Sequence, residues 1–152
     1  MKKSRIRLPK EQLEKFAASC RNCGIKVTHQ RLEIFREIAP AADHPSAEDI
    51  YNRVKIRIPT ISLDTVYRTL ALFEQCKIIS RVHPLDDRSR FDPNTNTHHH
   101  FICVQCKKVC DFYWPDFDRF HLPQETEEYG VIQSKTVELW GICRDCLKTA
   151  KK

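Results

Sequence analysis

The chain has 152 residues, of which 41% are hydrophobic and 30% are charged, a balance typical of a soluble globular protein. No apolar run reaches the ~20 residues of a membrane-spanning helix, and the basic start MKKSRIRLPKEQ lacks the apolar segment of a secretory signal. We therefore expect a cytoplasmic protein with one large or two small domains. In that compartment, eight cysteines favour metal ligands or redox thiols over a disulfide framework.

Charge is distributed unevenly along the chain. Residues 1–91 hold 18 Lys and Arg against 11 Asp and Glu, a net charge of +7, whereas residues 92–152 hold 8 against 9, a net charge of −1. A basic first part favours a polyanionic partner such as nucleic acid, although a solvated basic surface would give the same balance.

Four helices are predicted in the first part of the chain. Apolar residues recur at helical spacing in Lys10–Cys23, a second helix follows Thr28 and ends near Pro40, and Ser46 caps a third. Ser62 caps the fourth helix. Its buried face would hold Leu63, Val66, Leu70 and Phe73, with Asp64, Thr65, Arg68 and Thr69 pointing outward.

The hydrophobic pattern then changes to a period of two, which is typical of strands. Ile78–His83 and Arg88–Asp92 are predicted to form a hairpin with a turn at Leu85–Asp87. Helices followed by a β-hairpin are the order of a winged helix-turn-helix, so residues 1–92 are assigned to such a domain. Polar residues 93–97 form the expected linker.

Residues 98–152 predict a second, smaller α/β domain, so that the fold class of the whole chain is α+β. The expected elements are two strands, a helix and a long strand: His99–Val104, Val109–Trp114, Asp116–Tyr129 and Val131–Ile142. Pro123 should end or kink the helix. A domain this small would gain stability from a metal ion and from a partner subunit.

Two C-x-x-C pairs, Cys103–Cys106 and Cys143–Cys146, are separated by 36 residues. Each pair can direct two sulfurs at one point, and four thiolates at ~2.3 Å make a closed structural Zn(II) site. Zinc is the prediction. Two redox pairs, buried thiols and an iron–sulfur cluster are the alternatives.

A third C-x-x-C pair lies at Cys20–Cys23, near the end of the first predicted helix. It has no second pair close by, so we expect helix packing and an exposed thiol rather than a metal site. Cys76 and Cys110 are expected to be structural.

Three consecutive histidines precede Cys103. On a strand, His98 and His100 share a face and the histidine between them points away. Together with Asp92 and Asp111 they could form a nitrogen and oxygen site suited to Fe(II), Mn(II) or Zn(II). An accidental polar tract is the competing interpretation.

Several segments resemble the ferric uptake regulator family, over about residues 28–146: DHPSAEDIY, SLDTVYRTL, RFD, HHHFICVQC and LWGICRDC. That family consists of dimeric bacterial repressors with an N-terminal winged helix and a C-terminal α/β dimerisation domain. The resemblance implies that the four paired cysteines hold structural zinc. It also implies a regulatory Fe(II) or Mn(II) site between the domains with five ligands: His44, Asp92, His98, His100 and Asp111.

Asp92 stands where iron-uptake members of the family typically carry Glu, so the chain resembles the peroxide-sensing branch. The implied function is a metal-dependent repressor that senses hydrogen peroxide through iron-catalysed oxidation of His44 and His98. The alternative is an iron-responsive repressor of metal uptake genes. Ser134-Lys135-Thr136 occupies the stretch where some members carry a histidine of a further metal site, which we therefore do not expect.

The expected partners are operator DNA and a second copy of the chain. The helix after Ser62 would enter the major groove. This helix and the elements beside it are predicted to contact DNA through seven residues: Gln30, Arg31, Thr65, Tyr67, Arg68, Arg88 and Arg90. We expect no enzyme, since the deaminase pattern H-x-E with P-C-x-x-C is missing from the sequence. A metallohydrolase or a zinc-stabilised scaffold are the alternatives from other classes.

Overall fold

In a computed structural model of the chain, residues 8–82 and 88–149 are described. The chain divides into two compact units, unit 1 up to Thr95 and unit 2 from Asn96 onward. Unit 1 holds helices and a small sheet, and unit 2 holds a three-stranded sheet with short helices, which confirms the α+β class. No helix in these described residues has the length and apolar character to cross a membrane.

Unit 1 contains four helices in its described residues: α1 (Lys10–Asn22), α2 (His29–Ile38), α3 (Ala47–Lys55) and α4 (Leu63–Gln75). The predicted N-caps Ser46 and Ser62 are confirmed, and Thr28 also caps the helix that follows it. Thr28 and Ser62 each accept a hydrogen bond from a backbone N–H three residues later. Ser46 forms a reciprocal capping box with Asp49. These polar caps set where each helix begins, and so which face of it meets the core.

The core of unit 1 is built from the apolar faces of these helices. Phe16 of α1 stacks on Phe35 of α2 with ring centroids 4.1 Å apart, and meets the ring of Phe73 edge-on at 5.4 Å. On α4, Val66, Leu70 and Phe73 are buried as predicted, and Leu63 is half-buried. The outward orientation predicted for Thr69 is wrong. Thr69 is buried because α4 packs against both α2 and α3. Together these two helices cover more of the α4 surface than the single row of apolar residues that the sequence predicts.

A buried polar network joins α2 to the segment after α3. Arg57 donates from Nε to Glu33 Oε2 at 2.6 Å and from its terminal nitrogen to Glu37. Arg36 also donates to Glu33. Burial alone would raise the pKa of Glu33, but the hydrogen bonds and charges of the two arginines outweigh it and lower that pKa. The network thus holds a carboxylate ionised inside the helical unit.

Two short antiparallel strands follow α4, namely β1 (Ser80–Val82) and β2 (Arg90–Asp92), with Arg81 opposite Phe91. This confirms helices followed by a two-stranded sheet, the predicted winged-helix order. The first strand is shorter than predicted, because Ile78 and Ile79 are buried in the core rather than paired. The predicted turn and His83 lie outside the described residues.

Unit 2 is a sheet of three strands in the order β4-β3-β5, with β3 at the centre. The strands are β3 (His99–Cys103), β4 (Val109–Phe112) and β5 (Glu138–Gly141). β3 pairs antiparallel with β4 and parallel with β5. Helix α5 (Pro115–Arg119), a 3₁₀ helix (Gln124–Tyr129) and helix α6 (Arg144–Thr149) complete it.

Two predicted elements of unit 2 are wrong in extent. The helix predicted over Asp116–Tyr129 is broken, because the backbone is extended at Phe120 and again at Pro123, which has no N–H to continue a helix. The strand predicted over Val131–Ile142 is only β5, since pairing with β3 covers those four residues alone. An apolar run forms a strand only where a neighbouring strand supplies hydrogen bonds.

A disulfide joins Cys23 to Cys76, whose Cα atoms are 5.7 Å apart. The expectation of an exposed thiol at Cys23 is therefore wrong, whereas a disulfide agrees with the structural role expected of Cys76. The two cysteines directly follow α1 and α4, whose ends converge only in the folded unit. Cys20, by contrast, is buried in the core as a packing residue.

Candidate metal centres

Four cysteine sulfurs converge at one end of the sheet in unit 2. β3 ends at Cys103, and its parallel pairing places Cys103 opposite Gly141, two residues before Cys143. The sulfur atoms of Cys103 and Cys146 are 3.9 Å apart, and those of Cys106 and Cys143 are 3.7 Å apart. A tetrahedral ion with Zn–S bonds of about 2.3 Å requires sulfur separations of about 3.8 Å. The donor set and its spacing therefore fit Zn(II).

The surroundings of these sulfurs suit a cation. The backbone N–H groups of Cys106 and Cys143 donate to the Cys103 sulfur and lower its pKa to about 6. Hydrogen bonding with Cys143, burial and the other two sulfurs together raise the pKa of Cys146 to about 12. Four crowded thiolates need a positive ion to offset their mutual repulsion.

A second donor cluster in unit 2 is formed by His98 directly before β3, His100 on β3 and Asp111 on β4. The Nε2 atoms of His98 and His100 are 3.0 Å apart, and Asp111 Oδ1 lies 3.8 Å and 3.6 Å from them. His98 Nδ1 is 2.7 Å from the carbonyl oxygen of Asn96. Because a carbonyl only accepts, Nδ1 carries the proton, and Nε2 directs a lone pair toward His100. This is the arrangement of metal-ligating histidines.

His99 points to the opposite face of β3, as predicted. Its Nδ1 accepts a hydrogen bond from the backbone N–H of Val137 at 3.1 Å, so its proton resides on Nε2, which lies 3.2 Å from Asp118 Oδ1. The ring is fully buried. The imidazole of His99 therefore links the sheet to α5 and to the segment before β5.

Unit 1 holds a histidine and an aspartate of the predicted regulatory set. His44 Nε2 lies 3.5 Å from Asp92 Oδ2, and both side chains are buried. Asp92 Oδ1 also accepts the backbone N–H of Asn94 at 2.7 Å. His44 adopts a left-handed backbone conformation with φ +46°, which is uncommon outside glycine and persists where the surroundings hold it. The fold thus directs a strained, buried imidazole at a carboxylate.

Four of the predicted DNA contacts line one groove of about 500 Å³ between the start of α2 and the exposed side of α4: Gln30, Arg31, Thr65 and Arg68. Arg68 is extended into solvent and forms an exposed ion pair with Asp64 at 2.9 Å. Arg31 donates to the carbonyl of Lys26 at 2.7 Å. Basic and hydroxyl side chains therefore share the face that α4 presents outward.

Tyr67 of α4 is 47% exposed, which agrees with a surface role rather than packing. Its hydroxyl donates to Glu48 Oε1 of α3 at 2.6 Å. That hydrogen bond is the main cause of the lowered pKa of Glu48. The sequence did not single out Glu48, and only the crossing of α3 and α4 brings it to Tyr67.

Two DNA contacts, Arg88 and Arg90, are predicted in the hairpin that forms the wing of the winged helix, and their surroundings differ. Arg88 is exposed, whereas Arg90 is half-buried and lies 3.6 Å from Asp49. Arg90 also pairs with Ser46 in an isolated β-bridge. Arg88 is therefore the more available cation of the pair.

Comparison with known proteins gives one consistent result. The model of the ferric uptake regulator family matches residues 22–140. The peroxide-responsive repressor PerR of Staphylococcus epidermidis is 35% identical over 136 residues, covering 89% of this chain and 90% of that protein. The ferric uptake regulator Fur of Helicobacter pylori has a similar fold, with a TM-score of 0.73 at 23% identity, covering 95% and 97% of the two chains. An iron-containing ferric uptake regulator of Francisella tularensis gives a TM-score of 0.68 at 29% identity, covering 82% and 96%.

Proposed function

The chain belongs to the ferric uptake regulator family, and on that premise we propose that it is a metal-dependent, DNA-binding transcriptional repressor that senses hydrogen peroxide. The proposal is carried by the donor set of three histidines and two aspartates, together with the His98 tautomer fixed by Asn96. The alternative is an iron-responsive repressor of metal uptake genes. In either case the protein acts by binding, in the cytoplasm, and not as an enzyme.

Two kinds of ion are part of this proposal. Cys103, Cys106, Cys143 and Cys146 hold structural Zn(II), supported by the tetrahedral spacing of their sulfurs. His44, Asp92, His98, His100 and Asp111 hold regulatory Fe(II) or Mn(II), supported by imidazole and carboxylate donors that suit those ions better than thiolates do.

The peroxide branch is favoured over the iron branch by the short carboxylate at position 92. An Fe(II) ion held by these residues would supply the electrons that reduce hydrogen peroxide, and side chains held beside it would be exposed to the resulting oxidant. Within this chain, the carbonyl of Asn96 orients the His98 imidazole and the His44 imidazole lies beside Asp92, so each ring is held next to another residue of its own unit. Addition of oxygen to either ring weakens its donor nitrogen, and the regulatory ion and the DNA would then be released.

DNA binding is assigned to the groove beside α4, to Tyr67 and to the wing. The predicted contacts are Gln30, Arg31, Thr65, Tyr67, Arg68, Arg88 and Arg90. Their support is the exposed cationic and hydroxyl character of that face and the net charge of +7 over residues 1–91. A homodimer is supported by the exposed apolar side chains of unit 2, which include Phe120, Tyr129 and Val131.

The test compares DNA binding by protein loaded with Fe(II) and with Mn(II), before and after hydrogen peroxide. The probe is a duplex selected from random sequence by the Mn(II)-loaded protein. We expect peroxide to release only the iron-loaded form from DNA. Mass spectrometry should find one added oxygen on His44 or His98 but none on the exposed His29 and His121, which serve as internal controls.

Three outcomes distinguish the candidates. If both metal forms stay on DNA after peroxide, and binding follows the supply of iron, the iron-responsive repressor is correct. Equal oxidation of His29 and His121 would show unspecific damage and contradict the peroxide sensor. Failure to select any duplex with metal present would contradict both repressors.

A further inference from the structure

We propose that Cys23 and Cys76 are a site of reversible thiol oxidation by peroxide in unit 1, separate from both metal centres. The proposal rests on the function above for two points, the DNA-facing groove beside α4 and the cytoplasmic setting. There, a disulfide is more often a redox-active pair than a permanent link.

The geometry of the pair comes from two helix ends. Cys23 directly follows α1 and Cys76 directly follows α4, and their Cα atoms lie 5.7 Å apart. Disulfides form where Cα atoms are about 4.4–6.8 Å apart, so the folded unit holds the two sulfurs ready to bond. A separation of 53 residues in the chain makes this proximity a property of the tertiary fold.

Access to solvent distinguishes these cysteines from their neighbour. Cys23 is exposed and Cys76 is half-buried, whereas Cys20 is fully buried one turn earlier. Burial raises the pKa of Cys20, which favours its unreactive thiol form. The reactive pair is therefore Cys23 with Cys76, and the C-x-x-C spacing of Cys20 with Cys23 is incidental.

The reaction consumes one hydrogen peroxide. The Cys23 sulfur attacks one peroxide oxygen, so that an S–O bond forms, the O–O bond breaks and one water leaves. The Cys76 sulfur then displaces the hydroxyl, so that the S–S bond forms, the S–O bond breaks and a second water leaves. The two thiols supply both hydrogens and both electrons. A cellular dithiol reverses the reaction by thiol–disulfide exchange and is itself oxidised.

Both sulfurs lie at the C-terminal ends of helices, where the helix dipole disfavours negative charge. The thiolates are therefore disfavoured, which makes the attack on peroxide slow compared with that of a low-pKa thiol. The same effect makes the disulfide resistant to reduction, because reduction must produce those thiolates. The pair should therefore respond to sustained oxidant rather than to a brief pulse.

Oxidation should stabilise unit 1 without covering its DNA-facing groove. Phe16 already packs α1 against α2 and α4, and the disulfide adds a covalent link where α1 and α4 end. Cys76 follows Arg68 by eight helical positions, about 12 Å along the axis. We therefore expect the cross-link to raise thermal stability and to change DNA affinity by less than about threefold.

The experiment uses the full zinc-containing chain loaded with Mn(II), so that iron-dependent oxidation is excluded. The protein is reduced with a dithiol, exchanged into buffer and treated with hydrogen peroxide. Differential alkylation with mass spectrometry then identifies the cross-link, and thermal unfolding reports its effect. The variants are Cys23→Ser and Cys76→Ser, with Cys110→Ser as a control that removes a half-buried thiol outside the pair.

We expect a Cys23–Cys76 peptide in the wild type and in Cys110→Ser, and a rise in the unfolding temperature of unit 1 of at least about 10 °C. Neither should occur in Cys23→Ser or Cys76→Ser. In Cys76→Ser, a sulfenic acid trapped at Cys23 would support the order of attack.

A cross-link from Cys20 to Cys23, or loss of zinc while Cys23 and Cys76 stay reduced, would overturn the proposal. An unchanged unfolding temperature after cross-linking would overturn the stabilising role. None of these readouts depends on DNA. A protein that forms the disulfide but binds no duplex would contradict the proposed function and leave this inference standing.

Discussion

The two units are held together by different means. Unit 1 buries a continuous apolar core in which Phe16, Phe35 and Phe73 pack ring against ring. In unit 2, the cluster around the paired cysteines consists of Cys103, Cys143 and Cys146, with Phe101 packed against it. The difference suggests separate sources of stability: burial of apolar side chains stabilises unit 1, whereas unit 2 would gain stability from the ion and the partner subunit proposed above.

Removal of one proposed zinc ligand should have the largest effect. We expect Cys146→Ser to abolish stoichiometric zinc and the cooperative unfolding of unit 2, because structural zinc contributes roughly 10 kcal/mol or more in small domains. Zinc analysis with calorimetry measures this. Unfolding of unit 1 in Cys146→Ser would contradict separate sources of stability for the two units. Loss of zinc in the control Cys110→Ser would show that the effect is not specific to the zinc ligands.

Truncation of a buried aromatic ring should destabilise unit 1 and leave unit 2 unchanged. Phe73 is fully buried and contacts both other rings of the cluster, so Phe73→Ala should cost about 3–5 kcal/mol in unit 1. Chemical denaturation followed by circular dichroism gives the loss, and zinc content should remain that of the wild type. Reduced zinc content would show that the two units do not depend on separate sources of stability.

The buried carboxylate of Glu33 predicts that the stability of unit 1 depends on pH. Arg57→Ala should cost about 2 kcal/mol at neutral pH, because Glu33 stays buried with one partner fewer. The lowered pKa of Glu33 means that its contribution is complete above the ordinary glutamate value of 4.5 and is lost as the pH falls through the lowered pKa. Unfolding curves of wild type and variant should therefore converge in acid. A constant difference at all pH values would assign the loss to packing instead.

The exposed apolar face of unit 2 predicts the smallest effect. Val131 is 92% exposed, and Val131→Asp should raise the dissociation constant of the proposed homodimer roughly tenfold, a cost of about 1.4 kcal/mol. Ile56→Asp is the matched control, since Ile56 is 62% exposed in unit 1. Analytical ultracentrifugation over a dilution series measures both. An equal effect of the two changes would assign dimerisation to unit 1 as well.

Local sequence was sufficient for the elements that carry their own signals. Thr28, Ser46 and Ser62 mark helix starts because their side chains cap the backbone N–H groups that follow. Strand alternation separated His98 and His100 from His99, and C-x-x-C spacing identified each of the two cysteine pairs. These features depend on residues within a few positions of each other, so periodicity and spacing reveal them.

Tertiary structure alone decided the rest, because it depends on which distant segments meet. The crossing of helices brought Glu48 to Tyr67, and the converging ends of α1 and α4 brought Cys23 to Cys76. The length of β5 was set by its partner β3, since a strand ends where its neighbour stops supplying hydrogen bonds. Functional groups that lie close together in the sequence could be predicted from their spacing. Contacts between residues far apart in the sequence could be identified only in the folded units.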